Sequence, residues 1–248
     1  MRMDVVELQK FYFRTELGIK VVKVINKTLK PIIEKNSAEF LIGFGFACPY
    51  LEQLLTTPDY ETSKKKMVSL MPGEQGVIPW PKNGKNVSVL VDETSWPINT
   101  SSADLIVMAH GLEVSGNQKD LLQESYRVLS SKGKLVLLVP NRTGFWARSD
   151  NTPFGFGKPY SVNQLNLMLS QNQFQIENIS PALYGLPSHK GYWLTSLNFW
   201  ETVGKRFNYP FFGGLLIVEA SKSCYGAQKL ISKKTRKIAT YGKAVVTS

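Results

Sequence analysis

The sequence predicts an α/β fold built on a mostly parallel β-sheet with helices on both faces. Short apolar segments of strand length alternate with longer amphipathic segments along the chain, and this alternation is typical of parallel sheets covered on both sides. The chain of 248 residues is long enough for one sizeable α/β domain or two small ones. A hydrophobic fraction of 43% and five tryptophans favour a packed globule over a disordered chain.

The first predicted element is helical and covers residues 4–34. Apolar residues recur there at every fourth position with lysines between them: Leu17, Val21, Ile25, Leu29 and Ile33. Pro31 is expected to kink or end this helix.

The remaining elements follow in alternation, and no internal repeat is evident. Strands are predicted at Phe40–Ile42, Met67–Met71, Val87–Val91, Leu105–Ala109, Leu135–Val139, Phe174–Ile179 and Gly214–Ala220. Helices are predicted at Pro49–Leu55, Gln118–Leu129, from Ser161 to about Ser170, and at Leu194–Val203. Ser161 and Gln164 have the spacing of a capping box at the start of the third of these helices.

Composition excludes several classes of protein. No apolar run approaches the roughly 20 residues that span a bilayer, and Met1–Lys10 contains Asp4 and Glu7 instead of the apolar core of a signal peptide. Two cysteines, Cys48 and Cys224, provide neither a disulfide framework nor a metal-ligand cluster, and the chain has only two histidines. We therefore expect a cytoplasmic protein with no structural metal site.

Positive charge is concentrated at the C-terminus. From Ser221 onward the chain has seven lysines and arginines and no acidic residue, and without them the net charge falls from +11 to +4. Such a tail is either a solvated, flexible terminus or a binding element for nucleic acid, an anionic membrane or an acidic partner. The predicted organisation is a helical extension at 1–37, one domain at 38–222, and a basic flexible tail at 223–248.

A glycine-containing segment follows the first predicted strand. Gly43 and Gly45 allow a tight turn and close approach to backbone N–H groups, and the small Ala47 allows the next helix to pack on the strand. Such a segment is either a nucleotide-cofactor loop or an ordinary packed turn. In parallel sheets ligands bind at the carboxyl ends of the strands, where the strand order reverses, so the residues directly after each strand are the candidates for a site.

The segment between Asp92 and Val139 resembles the class I S-adenosylmethionine-dependent methyltransferases of the small-molecule type (type 11). Four pieces carry the resemblance in order: Asp92, Trp96-Pro97 with Ser102-Ala103-Asp104, His110-Gly111-Leu112-Glu113, and Arg127-Val128-Leu129 before Lys132-Gly133. The resemblance covers roughly residues 38–220. It implies a three-layer Rossmann-like fold with seven strands in the order 3-2-1-4-5-7-6, the last strand antiparallel, and extra helices at the N-terminus.

The resemblance also implies S-adenosylmethionine as cofactor and S-adenosylhomocysteine as product. The implied cofactor-binding residues are Gly43, Phe44, Gly45, Ala47, Asp92 and His110. Two positions depart from the family, because Leu41 and Met71 stand where acidic residues usually hold the cofactor. Glu74 could replace Met71 if its turn folds back, and Asp92 either meets the adenine amino group or caps the next turn.

Other residues have a chemical and a structural interpretation. His110 could act as a base near neutral pH or be a satisfied, half-buried histidine, and Tyr160 is a second catalytic candidate. Glu113 is expected to be structural and Cys48 to be a small buried hydrophobe. His189 is a weaker base candidate, expected to be exposed.

The segment from Asn141 to Tyr160 is a long loop rich in aromatic residues, and such loops are usually functional. Its candidate acceptor-side residues are Asn141, Arg142, Trp146, Arg148, Phe154 and Tyr160. They could bind an anionic or planar acceptor, or the loop could be an ordered lid without a substrate. The loop sequence resembles that of a bacterial subgroup of these proteins, many of them alphaproteobacterial.

Two functions remain open from the sequence. One is methyl transfer to an acceptor that the sequence does not specify, with weakened cofactor binding. The alternative is a non-catalytic methyltransferase-like subunit that binds a partner through the loop and the basic tail. A nucleic-acid binder is less favoured because no recognised nucleic-acid motif is present. The oligomeric state is not specified either.

Overall fold

The computed structural model of the protein describes residues 3–55, 65–188, 191–207 and 213–223. Cys224, His189 and the basic tail lie outside these residues. The secondary structure is a seven-stranded sheet with helices packed on both faces, which confirms the predicted fold class. No described helix is long and apolar enough to cross a membrane.

The sheet has the predicted strand order, β3-β2-β1-β4-β5-β7-β6. Its strands are β1 Phe40–Gly45, β2 Lys66–Pro72, β3 Ser88–Val91, β4 Ala103–Ala109, β5 Leu129–Pro140, β6 Phe174–Ala182 and β7 Leu215–Lys222. The pairs from β3 to β5 are parallel, whereas β7 runs antiparallel to both β5 and β6. The predicted antiparallel strand therefore lies one position in from the edge.

Six α-helices are described: α1 Val5–Arg14, α2 Glu16–Asn36, α3 Cys48–Leu55, α4 Gln118–Val128, α5 Val162–Gln171 and α6 Gly191–Phe207. The predicted capping box is present at α5, where the side chains of Ser161 and Gln164 each accept a hydrogen bond from the other residue's backbone N–H. This pairing satisfies two N–H groups that the first turn of a helix leaves without partners.

The predicted helix over residues 4–34 is divided into α1 and α2 at Thr15, and Pro31 lies inside α2 without ending it. Thr15 is extended and its hydroxyl caps α2 by accepting from the N–H of Gly18 at 3.0 Å. A Cβ on Gly18 would lie 2.0 Å from the Phe11 carbonyl oxygen, so only glycine permits this close crossing. The break turns α1 back over the carboxyl ends of the strands, where Val5 N–H donates to the Gln75 carbonyl at 2.8 Å.

The two faces of the sheet carry separate apolar clusters. The first contains side chains of α1, α2 and α3 with one face of the central strands, and the second contains side chains of α4 and α5 with the other face. Neighbouring residues of β1 divide between them, since Leu41 belongs to the first cluster and Ile42 and Phe44 to the second. This alternation is the period-two pattern of a strand buried on both sides.

Candidate functional site

The strand order reverses between β1 and β4, and the carboxyl ends of these two strands define a crevice. Parallel α/β sheets bind ligands at such a position. Gly45 ends β1 and pairs with Ala109, which ends β4, and Phe46 and His110 directly follow the two strands. We call the space above these residues the switch-point crevice.

The glycines of β1 lie close to other atoms of the protein. Gly45 has φ +74°, and a Cβ there would lie 2.3 Å from the Ala109 carbonyl oxygen and 2.9 Å from that of His110. A Cβ on Gly43 would lie 2.8 Å from Cδ1 of Leu51. Close approach at Gly45 is therefore made by the backbone of β4, and at Gly43 by a side chain of α3.

His110 ends β4 in an unusual backbone conformation. Its φ is +50°, a left-handed conformation that costs a residue with a side chain on the order of 1–3 kcal/mol and that clusters at functional sites. The amide of Gln75 donates to the His110 carbonyl at 3.2 Å. The same Gln75 accepts the N–H of Val5 through its own carbonyl, so one residue connects the start of α1 to the end of β4.

A continuous polar chain crosses the switch-point crevice. The hydroxyl of Tyr50 donates to that of Tyr12 at 2.9 Å, and the Tyr12 hydroxyl lies 2.6 Å from Nε2 of His110. On the other side of the imidazole, Nδ1 lies 3.1 Å from Oε1 of Glu113. A hydrogen on Nδ1 facing Glu113 leaves Nε2 free to accept the hydroxyl hydrogen of Tyr12. With this tautomer every donor of the polar chain, from Tyr50 through Tyr12 to His110, faces an acceptor.

Glu113 is the most exceptional member of this chain. Its side chain is 1% exposed, and among the described residues no group makes a well-aligned hydrogen bond to either carboxylate oxygen. Buried carboxylates are costly unless they are paired, and the only charge partner within ion-pair distance in the described part of the chain is His110. The long loop holds Glu113 in place, because Lys158 N–H donates to its carbonyl at 2.7 Å.

Aromatic rings enclose the polar chain. The ring of Tyr12 stacks on Phe46 with centroids 5.9 Å apart and meets Tyr50 edge-on at 5.7 Å. Phe154 of the long loop lies 5.3 Å from the His110 ring. Tyr12 is 2% exposed and Phe46 is fully buried, so side chains of this protein fill the switch-point crevice.

Burial changes the acidity of both tyrosines in the chain. Burial first, then the hydrogen-bonded Tyr50 and the nearby Glu113 carboxylate, raise the pKa of Tyr12 well above its usual value. Burial also raises the pKa of Tyr50, against the effect of its hydrogen bond to Tyr12. Both hydroxyls are therefore protonated throughout the neutral range and act as donors.

A second feature is an open groove at the carboxyl ends of β2 and β3. It measures about 610 Å³ and is lined by Gly73, Glu74, Leu90, Val91, Asp92, Glu93, Thr94, Gly116 and Asn117. Asp92 is exposed, and one of its oxygens caps the next turn by accepting from Thr94 N–H at 2.8 Å and from the Thr94 hydroxyl at 2.7 Å. These hydrogen bonds lower the pKa of Asp92, so the groove has an ionised carboxylate at neutral pH.

The structure shows why positions 41 and 71, where the resemblance implies acidic residues, are apolar in this protein. Leu41 and Met71 are buried in the first apolar cluster and do not reach the groove. Glu74 lines the groove together with Asp92. Phe44, a predicted cofactor residue, packs against Trp96 on the other face of the sheet with ring centroids 4.8 Å apart.

The loop from Asn141 to Tyr160 is ordered and closed at its base. Arg142 N–H donates to the Tyr160 carbonyl at 2.9 Å, and the Asn141 side chain donates to the Gly213 carbonyl at 2.7 Å. Trp146 is fully buried and its indole N–H donates to the Gly185 carbonyl at 2.7 Å. Tyr160 is buried with its hydroxyl 3.4 Å from the Leu112 carbonyl, outside the polar chain of His110.

The basic residues of this loop remain exposed. Arg142 and Lys158 line a shallow groove of about 410 Å³ beside α5, and Arg148 is also exposed.

Cys48 is buried with Sγ 3.2 Å from the Ser69 hydroxyl, and burial raises its pKa to about 12. Among the described residues no three His, Cys, Asp or Glu side chains form a metal-binding group.

From the sequence, His110 is a candidate and Glu113 is expected to be structural, whereas Tyr12, Tyr50 and Gln75 are not among the candidate site residues. Tyr12 reads as one more buried residue of an amphipathic helix, and 98 positions separate it from His110. Gln75 follows the Pro72-Gly73 turn. Its position just after a predicted strand was the one feature of the sequence that could have indicated a place at this site.

Comparison with known proteins supports the fold. Residues 42–137 match the family model described as a methyltransferase domain. No curated protein sequence matches significantly.

Many solved structures have similar folds, among them the following three. A possible histamine N-methyltransferase from Thermotoga maritima has a TM-score of 0.58 at 11% identity, over 88% of this chain and 96% of that one. An S-adenosylmethionine-dependent methyltransferase from Aquifex aeolicus has a TM-score of 0.57 at 15% identity, over 88% of this chain and 98% of that one. The Burkholderia thailandensis 1,6-didemethyltoxoflavin-N1-methyltransferase was solved with bound S-adenosylhomocysteine. It has a TM-score of 0.55 at 9% identity, over 88% of this chain and 86% of that one. At these identities the likeness establishes the class I methyltransferase fold.

Proposed function

We propose that this protein transfers a methyl group from S-adenosylmethionine to an acceptor, and the match of residues 42–137 to the family model of a methyltransferase domain supports this proposal. The observation that carries the proposal is the adjacency of two features at one edge of the sheet. An open groove with Glu74 and Asp92 lies at the ends of β2 and β3, and a crevice with His110 and Glu113 lies at the switch point.

The groove suits the adenosine part of the cofactor. Glu74 and Asp92 present carboxylate oxygens that accept hydrogen bonds from ribose hydroxyls or an adenine amino group. The volume of about 610 Å³ is in the range of small-molecule sites. The methionine part would extend toward Gly45 and Phe46 at the switch-point crevice. That end fits only if Tyr12 moves, because Tyr12 now fills the space beside His110.

Bound there, S-adenosylmethionine supplies an electrophilic methyl group, and the protein contributes mainly position. The crevice would exclude water and hold the acceptor beside the methyl group, and alignment of this kind lowers the barrier of a two-substrate reaction by several kcal/mol. The buried rings of Phe46 and Phe154 provide the apolar walls.

The test is calorimetric titration of S-adenosylmethionine and S-adenosylhomocysteine into the purified full chain. We expect dissociation constants on the order of 10–100 µM, since Leu41 and Met71 stand where acidic residues usually hold the cofactor, which removes a few kcal/mol of hydrogen bonding. Replacing Asp92 with Ala should weaken binding by about 5- to 150-fold, which corresponds to about 1–3 kcal/mol for a lost hydrogen bond. Glu34→Ala, at an exposed position of α2, is the matched control and should bind as wild type.

The alternative function is a non-catalytic methyltransferase-like subunit. The observation that favours it is the filled switch-point crevice, in which Tyr12, Phe46 and Tyr50 leave no space for a ligand. If neither adenosyl compound binds at millimolar concentration to the wild type or to a variant with the crevice emptied, the enzymatic function is refuted and this alternative takes its place.

A further inference from the structure

The outward side of α2 is a stripe of lysines. The segment from Leu17 to Ile33 contains no acidic residue and four lysines, which are Lys20, Lys23, Lys27 and Lys30. At about 100° per residue this spacing keeps them on one side of the helix, and the buried residues of α2 lie on the other side, toward the sheet. The lysine stripe therefore points to solvent.

The acidic residues of α2 lie only at its two ends. Glu16 pairs with Lys20 at 2.9 Å, and Glu34 pairs with Lys30 at 3.6 Å. Ion pairs between such surface side chains are weak and are screened by salt. The whole helix contains five lysines and two acidic residues, so its outward side has a net positive charge.

α6 lies beside α2 on the same face of the sheet and has an exposed aromatic pair. Leu197 of α6 belongs to the first apolar cluster, as the buried residues of α2 do, and the two helices are in contact. Phe199 is 63% exposed and Trp200 is 40% exposed. Arg206 is exposed seven residues after Phe199, which places both on one side of the helix.

Side chains that point away from the sheet on two adjacent helices belong to one surface. We call this the α2–α6 surface, formed by the lysine stripe of α2 with Ile19, and by Phe199, Trp200 and Arg206 of α6. It combines positive charge with exposed apolar area, since Ile19 beside the lysine stripe is 41% exposed.

The kind of apolar side chain distinguishes between anionic partners. Nucleic-acid bases stack on flat rings, but the aliphatic Ile19 offers them no such platform, and the rings of Phe199 and Trp200 meet edge-on with centroids 5.7 Å apart. An anionic bilayer suits the whole set. Its phosphates attract lysines, and its interface takes up aliphatic and aromatic side chains, tryptophan in particular.

We propose that the α2–α6 surface binds the surface of an anionic membrane. Phe199, Trp200 and Ile19 enter the boundary between headgroups and acyl chains, and the lysine stripe contacts lipid phosphates. This proposal is independent of the proposed function, because binding at this surface needs neither a cofactor nor an acceptor.

The first test is co-sedimentation of the full chain with phospholipid vesicles. We expect binding to vesicles of phosphatidylcholine and phosphatidylglycerol in equal parts, and at least about tenfold weaker binding to phosphatidylcholine alone. Raising the salt from about 0.1 M to about 1 M shortens the Debye length from about 10 Å to about 3 Å and should weaken binding. Equal binding to both kinds of vesicle, or binding to neither, would overturn the proposal.

Two double variants test the two parts of the surface. Lys23→Gln with Lys30→Gln should weaken binding to the phosphatidylglycerol vesicles by about thirtyfold, the effect expected for two lysines near an anionic bilayer. Phe199→Ala with Trp200→Ala should weaken it by at least about tenfold, because both rings have exposed apolar area that lipid would bury.

Matched controls come from the other side of the sheet. Lys119→Gln with Lys158→Gln removes two exposed lysines near α4 and α5, and Leu167→Ala removes a side chain of α5 that is 60% exposed. Both variants should bind the vesicles as wild type does. Equal losses in the controls and in the α2–α6 variants would show that the whole basic chain, its tail included, carries the binding, and the proposal would be wrong.

Tryptophan fluorescence gives a readout that does not depend on the folding of the double variants. Trp80, Trp96 and Trp146 are at most 4% exposed, whereas Trp200 is 40% exposed. Phosphatidylglycerol vesicles with brominated acyl chains should therefore quench the wild type. Trp200→Phe keeps an apolar ring and should bind equally well, with most of the quenching lost. Undiminished quenching in Trp200→Phe would contradict the entry of Trp200 into lipid.

Two other outcomes would assign the surface to a different partner. In the first, a fluorescent DNA oligonucleotide binds wild type and is lost by Lys23→Gln with Lys30→Gln, while the vesicles do not bind. In the second, wild type without lipid sediments as a dimer and Phe199→Ala with Trp200→Ala sediments as a monomer, so that a second copy covers the surface. Either outcome would overturn the membrane assignment.

Discussion

Gly45→Ala should destabilise the fold strongly, and this prediction distinguishes two explanations of the glycine. If glycine is needed only to let a ligand approach, alanine would leave the apo protein as stable as wild type. The structure instead places a Cβ at this position 2.3 Å from the Ala109 carbonyl oxygen and 2.9 Å from that of His110, at φ +74°.

The magnitude follows from these two features. The left-handed conformation costs a residue with a Cβ about 1–2 kcal/mol. Relief of the overlap costs about 1–3 kcal/mol more, because the obstructing atoms are backbone of the paired strand and Phe46 N–H donates to the Ala109 carbonyl at 2.7 Å. The free energy of unfolding should therefore fall by about 2–5 kcal/mol, a large part of the 5–15 kcal/mol of a typical domain.

Two other glycines are matched controls. At Gly43 the nearest atoms are Cδ1 of Leu51 at 2.8 Å and Cβ of Ala47 at 3.2 Å, and a side chain can shift, so Gly43→Ala should cost about 0–2 kcal/mol. At Gly116 no heavy atom lies within 4 Å, and alanine should be neutral. Urea unfolding followed by circular dichroism measures all three. A Gly45→Ala protein no less stable than Gly43→Ala would refute the reasoning.

Three further predictions concern buried groups. Cys48, with a pKa of about 12, should resist iodoacetamide at pH 8 until urea unfolds the protein, and rapid native labelling at this residue in a peptide map would contradict its burial. Because the pKa of Tyr12 is raised, the unfolded chain loses this proton above about pH 10 while the folded protein keeps it, so the free energy of unfolding should fall by about 1.4 kcal/mol per pH unit. Tyr12→Phe should remove that contribution. If the free energy of unfolding changes with pH equally in wild type and Tyr12→Phe between about pH 9 and 11.5, the burial of this proton is contradicted. Trp146→Ala should lower the unfolding free energy by about 3–5 kcal/mol, whereas Phe145→Ala, at a side chain 54% exposed, should have little effect; equal losses would contradict the burial of Trp146.

The sheet could be predicted from the sequence because each strand carries its own signal. Apolar runs such as Leu135–Val139 recur between amphipathic helices, and Ser161 with Gln164 marks a helix start by spacing alone. The strand order came from the resemblance, since local patterns contain no information on which strands pair. The division at Thr15 was not predicted. The four-residue apolar period of α2 extends through Pro31, and a proline usually kinks or ends a helix, so the break was expected at Pro31.

The candidate site was predictable only in its sequence-local part. His110 and Glu113 are three residues apart after a buried strand, and a strand end can be read from the sequence. Their partner Tyr12 lies 98 positions away on a helix whose direction is set by the contact of Gly18 with Phe11. Gly45 shows the same limit, because the sequence indicates that a close approach occurs there but not whether a ligand or β4 makes it.

The missing acids at Leu41 and Met71 and the position of the N-terminal helices have one physical cause. Both residues are buried in the apolar cluster that includes side chains of α1 and α2. An ionised carboxylate at either position would lie in this cluster without a partner, which costs several kcal/mol. Covering this face with α1 and α2 therefore requires apolar residues at both positions, and the carboxylates of Glu74 and Asp92 lie outside this cluster, in the open groove. The same helices bring Tyr12 to His110, so the apolar residues at positions 41 and 71 and the filled crevice belong to a single packing arrangement.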